Sequence, residues 1–467
     1  MSGVSLIDGW LAQRGLLSPE ACELAEACIA RAAADQIETV RVVFADQHGV
    51  LRGKTVTAER LRAVFTTGIR VPSTLLLKDT AHRTVFPVWQ SGGASPMRNA
   101  SDVLLVPRPE TWRTSLGSDH AALVHCDVVS VEGEPIAFSS RRVLQAQIDR
   151  LAENGLACVF GLEVEFQVYS RTDTGELVPL NTGMQYLTDA RYTDAEPVLD
   201  AIRRAAVAAG MQLQSVEIEM GPGQFECTFA CADPMAIADL AVNFRTLASA
   251  VCKRLGYVAS FMAKPRISGA LGNGWHIHQS VISLGDQRNA FMPTDDALSP
   301  TASAWIGGLL ANAEAACLLT TPTINGYKRY GEYQLAPNGI GWGSDNRGAM
   351  VRTLMAAGDP ASRVENRVAE SGANPYFALA SQIACGLDGI EQSRVAPPPL
   401  VNPYEDIERR LPANLGAAIE AFAASETLRA AFGDAFVDYL TTIKRAEWQR
   451  YLDTVSEWEQ AEYFDLF

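Results

Sequence analysis

Four short stretches of this sequence place carboxylates or imidazoles where a buried strand would carry apolar side chains. In Cys158–Tyr169, Leu162, Val164, Phe166 and Val168 share one face of a strand. Glu163 and Glu165 share the other, about 7 Å apart along it. Ile218–Glu226 adds Glu219 and Glu226 on either side of a tight Gly-Pro-Gly turn. Gly272–His278 puts His276 and His278 on one strand face, and Arg363–Arg367 sets Glu365 between two guanidiniums at period two. Each stretch alone reads equally as a strand with one solvated face. Together they supply five carboxylates and one or two imidazoles, a set that would repel itself if buried without cations. Hard divalent ions, Mg²⁺ or Mn²⁺, suit carboxylate oxygen and tolerate an imidazole. Zinc suits the set less well, because no cysteine and only two close histidines are offered.

Arginines gather beside these stretches: Arg329, Arg347, Arg352, Arg363 and Arg367 lie within 39 residues of an otherwise acidic chain. Guanidinium forks grip phosphate and carboxylate oxygens in pairs, so their density implies an anionic ligand. Metal ions and arginines around phosphate describe phosphoryl transfer. A phosphate-cradling loop is not the source of it. Gly49–Thr55 imitates one, but it has one residue too few between its glycines and sits in a predicted hairpin instead of ahead of a helix. No Gly-x-Gly-x-x-Gly follows a strand, so a dinucleotide fold has no support.

The elements that must carry these groups follow from pattern. Pro19–Ala34 has helical spacing; Thr39–Phe44 and Val50–Val56 form a hairpin about Asp46–Gly49, and Asp102–Val106 and Ala121–Val129 read as strands. Residues 1–138 are therefore expected to form a small sheet-rich domain with a leading helix. A helix capped by Ser139 or Ser140 opens a second domain, 139–467, of alternating helices and strands that ends in helix beyond Pro412. The chain has 467 residues with 48% hydrophobic and 20% charged, which excludes disorder, and a net charge of −15 disfavours nucleic acid. Met1–Trp10 lacks the basic start of a secretory signal, and the most apolar run, Trp305–Thr321, is broken by Asn312 and Glu314 and falls short of a membrane span. Nine cysteines without a Cys-x-x-Cys read as buried apolar residues in a reducing cytoplasm.

These motifs in this order resemble the glutamine synthetase family: Gly161–Phe166, Gly223–Glu226, Gly274–His278, Asn325 with Lys328-Arg329, Ala336-Pro337 with Asn346-Arg347, and Glu365 with Arg367 and Ala373–Tyr376. The resemblance implies an α+β fold, with an N-terminal β-grasp domain and a catalytic α/β domain built on a curved antiparallel sheet. It also implies a dodecamer of two hexameric rings whose active sites lie between neighbouring subunits. Carried over position by position, it makes Glu165, Glu219 and Glu226 ligands of a metal facing the amino-acid substrate, with Glu219 preferred to Glu217. Glu163, His276 and Glu365 become ligands of a metal on the nucleotide phosphates, giving two or three ions per site. Arg329 and Arg367 are implied to hold the substrate carboxylate and the transferred phosphate, and Gly272 to meet the substrate amino group. His278, Arg347, Arg352 and Arg363 are implied to meet the phosphates of ATP.

The departures from that family concern ammonia. Its synthetases carry a glutamate directly ahead of the Ala-Pro pair, where this chain has Leu335, and a second acid in an N-terminal loop, where Gly68–Ser73 offers none and Val71 stands instead. Ammonium against Leu335 and Val71 would lose its hydration and gain no partner, whereas the hydrocarbon part of a larger amine would be favoured. The expected activity is an ATP-dependent ligation of glutamate to an alkyl- or arylamine. The alternatives are a true glutamine synthetase in which Glu332 replaces the missing acid, and a catalytically silent relative. Tyr404 lies where some members carry a modifiable tyrosine, but its surroundings match poorly.

Overall fold

The computed structural model describes residues 5–89, 97, 99–114, 118, 120–184, 186–295, 298–331, 335–405 and 407–467. The helix Pro19–Ala34 forms as its spacing predicts. Ser18 caps it by accepting from the Ala21 N–H at 3.2 Å, Pro19 occupies its first turn, and Cys22, Ala25, Cys28 and Ala32 are its buried stripe.

Six strands build the first sheet: β1 (Thr39–Ala45), β2 (Leu51–Thr57), β3 (Ile69–Pro72), β4 (Asp102–Pro107), β5 (Arg113–Thr114) and β6 (Ala121–Val129). Their order is β2-β1-β6-β4-β3, with β5 against β6. The predicted hairpin joins β1 to β2, held by Asp46, whose Oδ1 accepts from the N–H groups of His48 and Val50 at 2.9 and 3.0 Å. β1 also pairs with β6 in parallel, a long-range contact with no local signal in the sequence. Ser139 stands at the N-cap of the helix Ser140–Glu153, but its hydroxyl donates to the Ile136 carbonyl and does not cap the helix; the Ser140 hydroxyl donates to the Asp46 carbonyl at 2.9 Å. Ser140 thus ties the turn between β1 and β2 to the start of this helix.

The second sheet has nine strands: β7 (Leu156–Arg171), β8 (Leu177–Pro179), β9 (Leu213–Ile218), β10 (Gln224–Phe229), β11 (Tyr257–Ser260), β12 (Trp275–Ser283), β13 (Trp342–Ser344), β14 (Val351–Leu354) and β15 (Arg363–Asn366). The order is β13-β14-β15-β12-β7-β10-β9, with β8 and β11 on β7, and the sheet is curved. All pairs are antiparallel except β13 with β14. The apolar face of β7 meets the helix Pro234–Arg254 through Phe166, which packs on Phe225, Phe244 and Phe261. That helix is long and apolar enough to cross a bilayer by length, but most of it is buried against the sheet. The Trp305–Thr321 run belongs to two helices, Pro300–Ala311 and Ala313–Thr320, bent by 79° at Asn312.

The two sheets are locked together near the functional strands. Arg245 reaches the carbonyls of Ser371 and Ala373 with one terminal nitrogen, and that of Gly49 with the other, at 2.9–3.1 Å. A β-carbon on Gly49 would stand 2.9 Å from the Asn374 Cα, so only glycine permits this approach. All nine cysteines are unpaired, and only Cys231 is exposed.

Candidate active site

Register across the curved sheet brings the charged residues together. Glu226 on β10 is paired with Glu165 on β7 and with Glu217 on β9. Glu163 on β7 faces His276 on β12; His278 on β12 faces Glu365 on β15, and Arg352 on β14 faces Glu365 from the other side. Period-two alternation points these at one side, and all but His278 line a cavity of about 500 Å³. Glu163, Glu165, Glu219, Glu226, His276, Glu365, Gly272, Arg329, Leu335, Arg347, Arg352 and Arg367 all border it.

Within the cavity, two groups of donor atoms stand close enough to share an ion: Glu163, His276 and Glu365, and Glu165, Glu226 and His276. Burial, with the Glu165 and Glu163 charges beside it, drives the Glu226 carboxyl well above its ordinary range. Burial and Glu165 push Glu219 up to about 8. For Glu163, burial is outweighed by the hydrogen bonds of His276 and His278, which hold it low. For Glu365, burial is outweighed by His276, Arg367 and His278. A self-repelling cluster of buried oxygen ligands fits hard divalent cations, which would remove the repulsion that raises Glu219 and Glu226.

Supporting contacts fix these side chains. Gln224 Nε2 donates to Glu165 Oε2 at 2.9 Å and to the Gly272 carbonyl at 2.8 Å, while its Oε1 accepts from the Gly221 N–H at 2.9 Å. The Gly274 N–H donates to Glu165 at 2.8 Å. Arg329 crosses directly over Gly272, where a β-carbon would meet its Cγ at 2.8 Å, and its Nη2 donates to the Val368 carbonyl at 2.5 Å. Arg367 Nη1 donates to Glu365, and Arg352 Nη1 donates to the same carboxylate at 3.1 Å. Arg352 also reaches Asp345 at the cavity's edge.

His278 and Arg363 stand one contact behind the lining. Arg363 Nε donates to His278 Nδ1 at 3.1 Å, and His278 Nε2 stands 2.8 Å from Glu163. Val71 is a correction. Its side chain is 2% exposed in the core under β3, and the exposed residues of that strand are Arg70 and Pro72. Pairing with β4 turns Val71 inward, so it cannot meet a substrate. Glu332 lies outside the described residues. The apolar lining that the structure does provide includes Leu187, Met220 and Leu271 as well as Leu335, and Tyr186 joins it. Glu217 and Gln224 lay inside or beside motifs visible in the sequence, whereas Tyr186 and Leu187 sit in irregular chain without periodicity.

A family model described as the glutamine synthetase catalytic domain matches residues 137–463. The chain belongs to the glutamine synthetase family. Among curated members, it is 34% identical to the gamma-glutamylanilide synthase of an Acinetobacter species, over 92% of this chain and 93% of that one. It is 29% identical to the glutamate–isopropylamine ligase of a Pseudomonas species, over 92% and 95%. Glutamine synthetases match at similar identity. A solved structure titled as apo GmaS without ligand superposes with a TM-score of 0.82 at 29% identity, covering 94% of this chain and 99% of that one. Members of the glutamine synthetase family are ATP-dependent ligases that use divalent metal, and the cavity's donor set agrees with that chemistry.

Proposed function

We propose that this protein joins the γ-carboxylate of glutamate to an organic amine through a γ-glutamyl phosphate. A carboxylate oxygen of glutamate attacks the γ-phosphorus of ATP and ADP leaves. The amine lone pair then attacks the acyl carbon, inorganic phosphate departs as the leaving group, and the nitrogen loses one proton to leave the neutral amide. Divalent ions held by Glu163, His276 and Glu365, and by Glu165, Glu219 and Glu226, would neutralise phosphate charge and orient the carboxylate. Arg329 and Arg367 would hold the glutamate carboxylate and the transferred phosphoryl group. Arg347, Arg352, Arg363 and His278 would serve the nucleotide phosphates, and Gly272 would offer its backbone to the substrate amino group.

The observation that carries the choice of amine is Leu335. It borders the cavity with 43% of its surface exposed, where ammonium would need an acid. The similarity to enzymes named for anilide and isopropylamide synthesis supports the same choice. The test is glutamate-dependent ADP release across ammonia, alkylamines and arylamines. An organic amine as the best nucleophile is expected, and ammonia as the best would return the enzyme to glutamine synthesis.

We further propose a division of the chain near residue 138, supported by the start of the family match at 137, and a cytoplasmic location, supported by the unpaired cysteines. Assembly into two stacked hexameric rings is part of the same reading. It is supported by the apolar end of the chain, where Trp458, Phe464 and Phe467 are 63%, 73% and 99% exposed. Light scattering should give a mass near twelve chains.

A further inference from the structure

We propose that Leu187 is a specificity-determining residue for the amine, forming with Leu335 the apolar wall that receives its hydrocarbon body. The inference rests on the amine-ligase reading above. Leu187 belongs to the irregular segment between β8 and the helix Asp189–Ala208, and it borders the cavity with 55% of its surface exposed.

Three observations converge on it. First, Leu187 and Leu335 each hold φ at +53°. A side chain with a β-carbon is destabilised in this left-handed conformation, which glycine or asparagine adopts more readily. A large apolar residue kept there, half in solvent and on the cavity's border, is accounted for by use at the site. Second, the segment is fastened to the acids. The Leu187 N–H donates to the Ile218 carbonyl at 3.1 Å, and the Met184 N–H to that of Met220 at 2.7 Å. These bonds bracket Glu219, so Leu187 has a fixed place beside a proposed metal ligand. The clip is tight: a β-carbon on Gly183 would stand 2.5 Å from the Pro222 nitrogen. Third, Leu187 is one of several apolar residues that border the same cavity, with Met220, Leu271 and Leu335, beside its carboxylates and guanidiniums. A cavity with both kinds of lining suits an amine with a branched alkyl or aryl body.

The experiment compares wild type with L187G and L187F, measuring kcat/KM for aniline, methylamine and ammonia at saturating glutamate and ATP, together with Tm. For L187G, the aniline-to-methylamine ratio should fall at least ~10-fold, with Tm not lowered, because glycine accepts the backbone angle. L187F fills the same space and should shift preference toward methylamine. If wild type prefers an organic amine but both variants keep its ratio within about twofold, Leu187 has no part in selection and the inference fails alone. If wild type prefers ammonia over every amine, the ligase reading fails and takes the inference with it. Should L187G not assemble, L187F decides the matter.

Discussion

Gln224 and Glu165 are joined by a hydrogen bond of 2.9 Å that ties Glu165 to the Gly-Pro-Gly turn. The same amide nitrogen reaches the Gly272 carbonyl, and its oxygen takes the Gly221 N–H. One buried side chain therefore sets the relative positions of Glu165, Glu219 and the loop under Arg329. Gln224→Leu keeps the volume and removes every bond. Its kcat/KM for glutamate should fall about 10–100-fold, the range for loss of a support behind a metal ligand. Unchanged kinetics in a folded variant would mean that the turn holds itself.

Glu165→Ala and Glu365→Ala should each reduce ligase activity by at least ~100-fold with the fold retained. The two differ in what they leave behind. Without Glu365, Arg367 and Arg352 lose their shared anion. Without Glu165, the raised Glu219 and Glu226 lose a repelling neighbour and should move toward ordinary carboxylates. Calorimetric titration with Mg²⁺ should show weakened binding in both, and near-normal turnover of either would refute the metal assignment.

Glu370 offers a pH test away from the proposed metal ligands. Fully buried, it accepts from the Thr323 N–H and hydroxyl at 3.1 and 2.9 Å, with Arg329 and Lys444 as its cationic neighbours. Burial outweighs them and pushes its carboxyl up to about 7. Because the folded value is raised, the folded protein holds the proton that the unfolded chain releases near pH 4.5. Stability linked to this group is therefore full below about pH 4.5 and is lost as the pH rises to about 7. Glu370→Gln has no proton to lose. Relative to wild type, it should gain stability across that window, by on the order of 3 kcal/mol. Tm profiles of the two proteins that run parallel from pH 5 to 8 would contradict the buried-acid account.

Most of the acid cluster was legible because strand alternation is local. Glu163, Glu165, His276 and Glu365 keep period two, and antiparallel register does the rest. The strands of the first sheet were legible too, but the parallel pairing of β1 with β6 spans too much chain to leave a local mark. Val71 was misplaced because β3 has only four residues, too few to reveal which face is buried until β4 sets the pairing. Leu187 was invisible for a different reason: a left-handed residue in irregular chain has no periodicity to place it at the cavity. Glu370 looked like any acid after Arg367, and only folding shows that it is enclosed.

The substitution Leu335→Glu bears most directly on the choice of nucleophile. Leu335 holds φ at +53°, and glutamate meets the same backbone penalty as leucine there, so the change does not add strain. Against the wild-type wall, a hydrophobic amine that buries ~80 Å² gains about 2 kcal/mol, roughly thirtyfold in kcat/KM over ammonia, before the unpaired charge of ammonium is counted. Attack also needs a free lone pair. Without an acid at this position to take a proton, a weakly basic arylamine, neutral at pH 7, has the advantage over a protonated alkylamine. A carboxylate at 335 would reverse both effects, pairing with ammonium and accepting its proton while it charges the apolar wall. The preference for arylamine over ammonia should therefore shrink at least ~10-fold in Leu335→Glu, mainly through a gain with ammonia. If ammonia gains nothing while the arylamine alone declines, residue 335 shapes the pocket without deciding which nucleophile is deprotonated there.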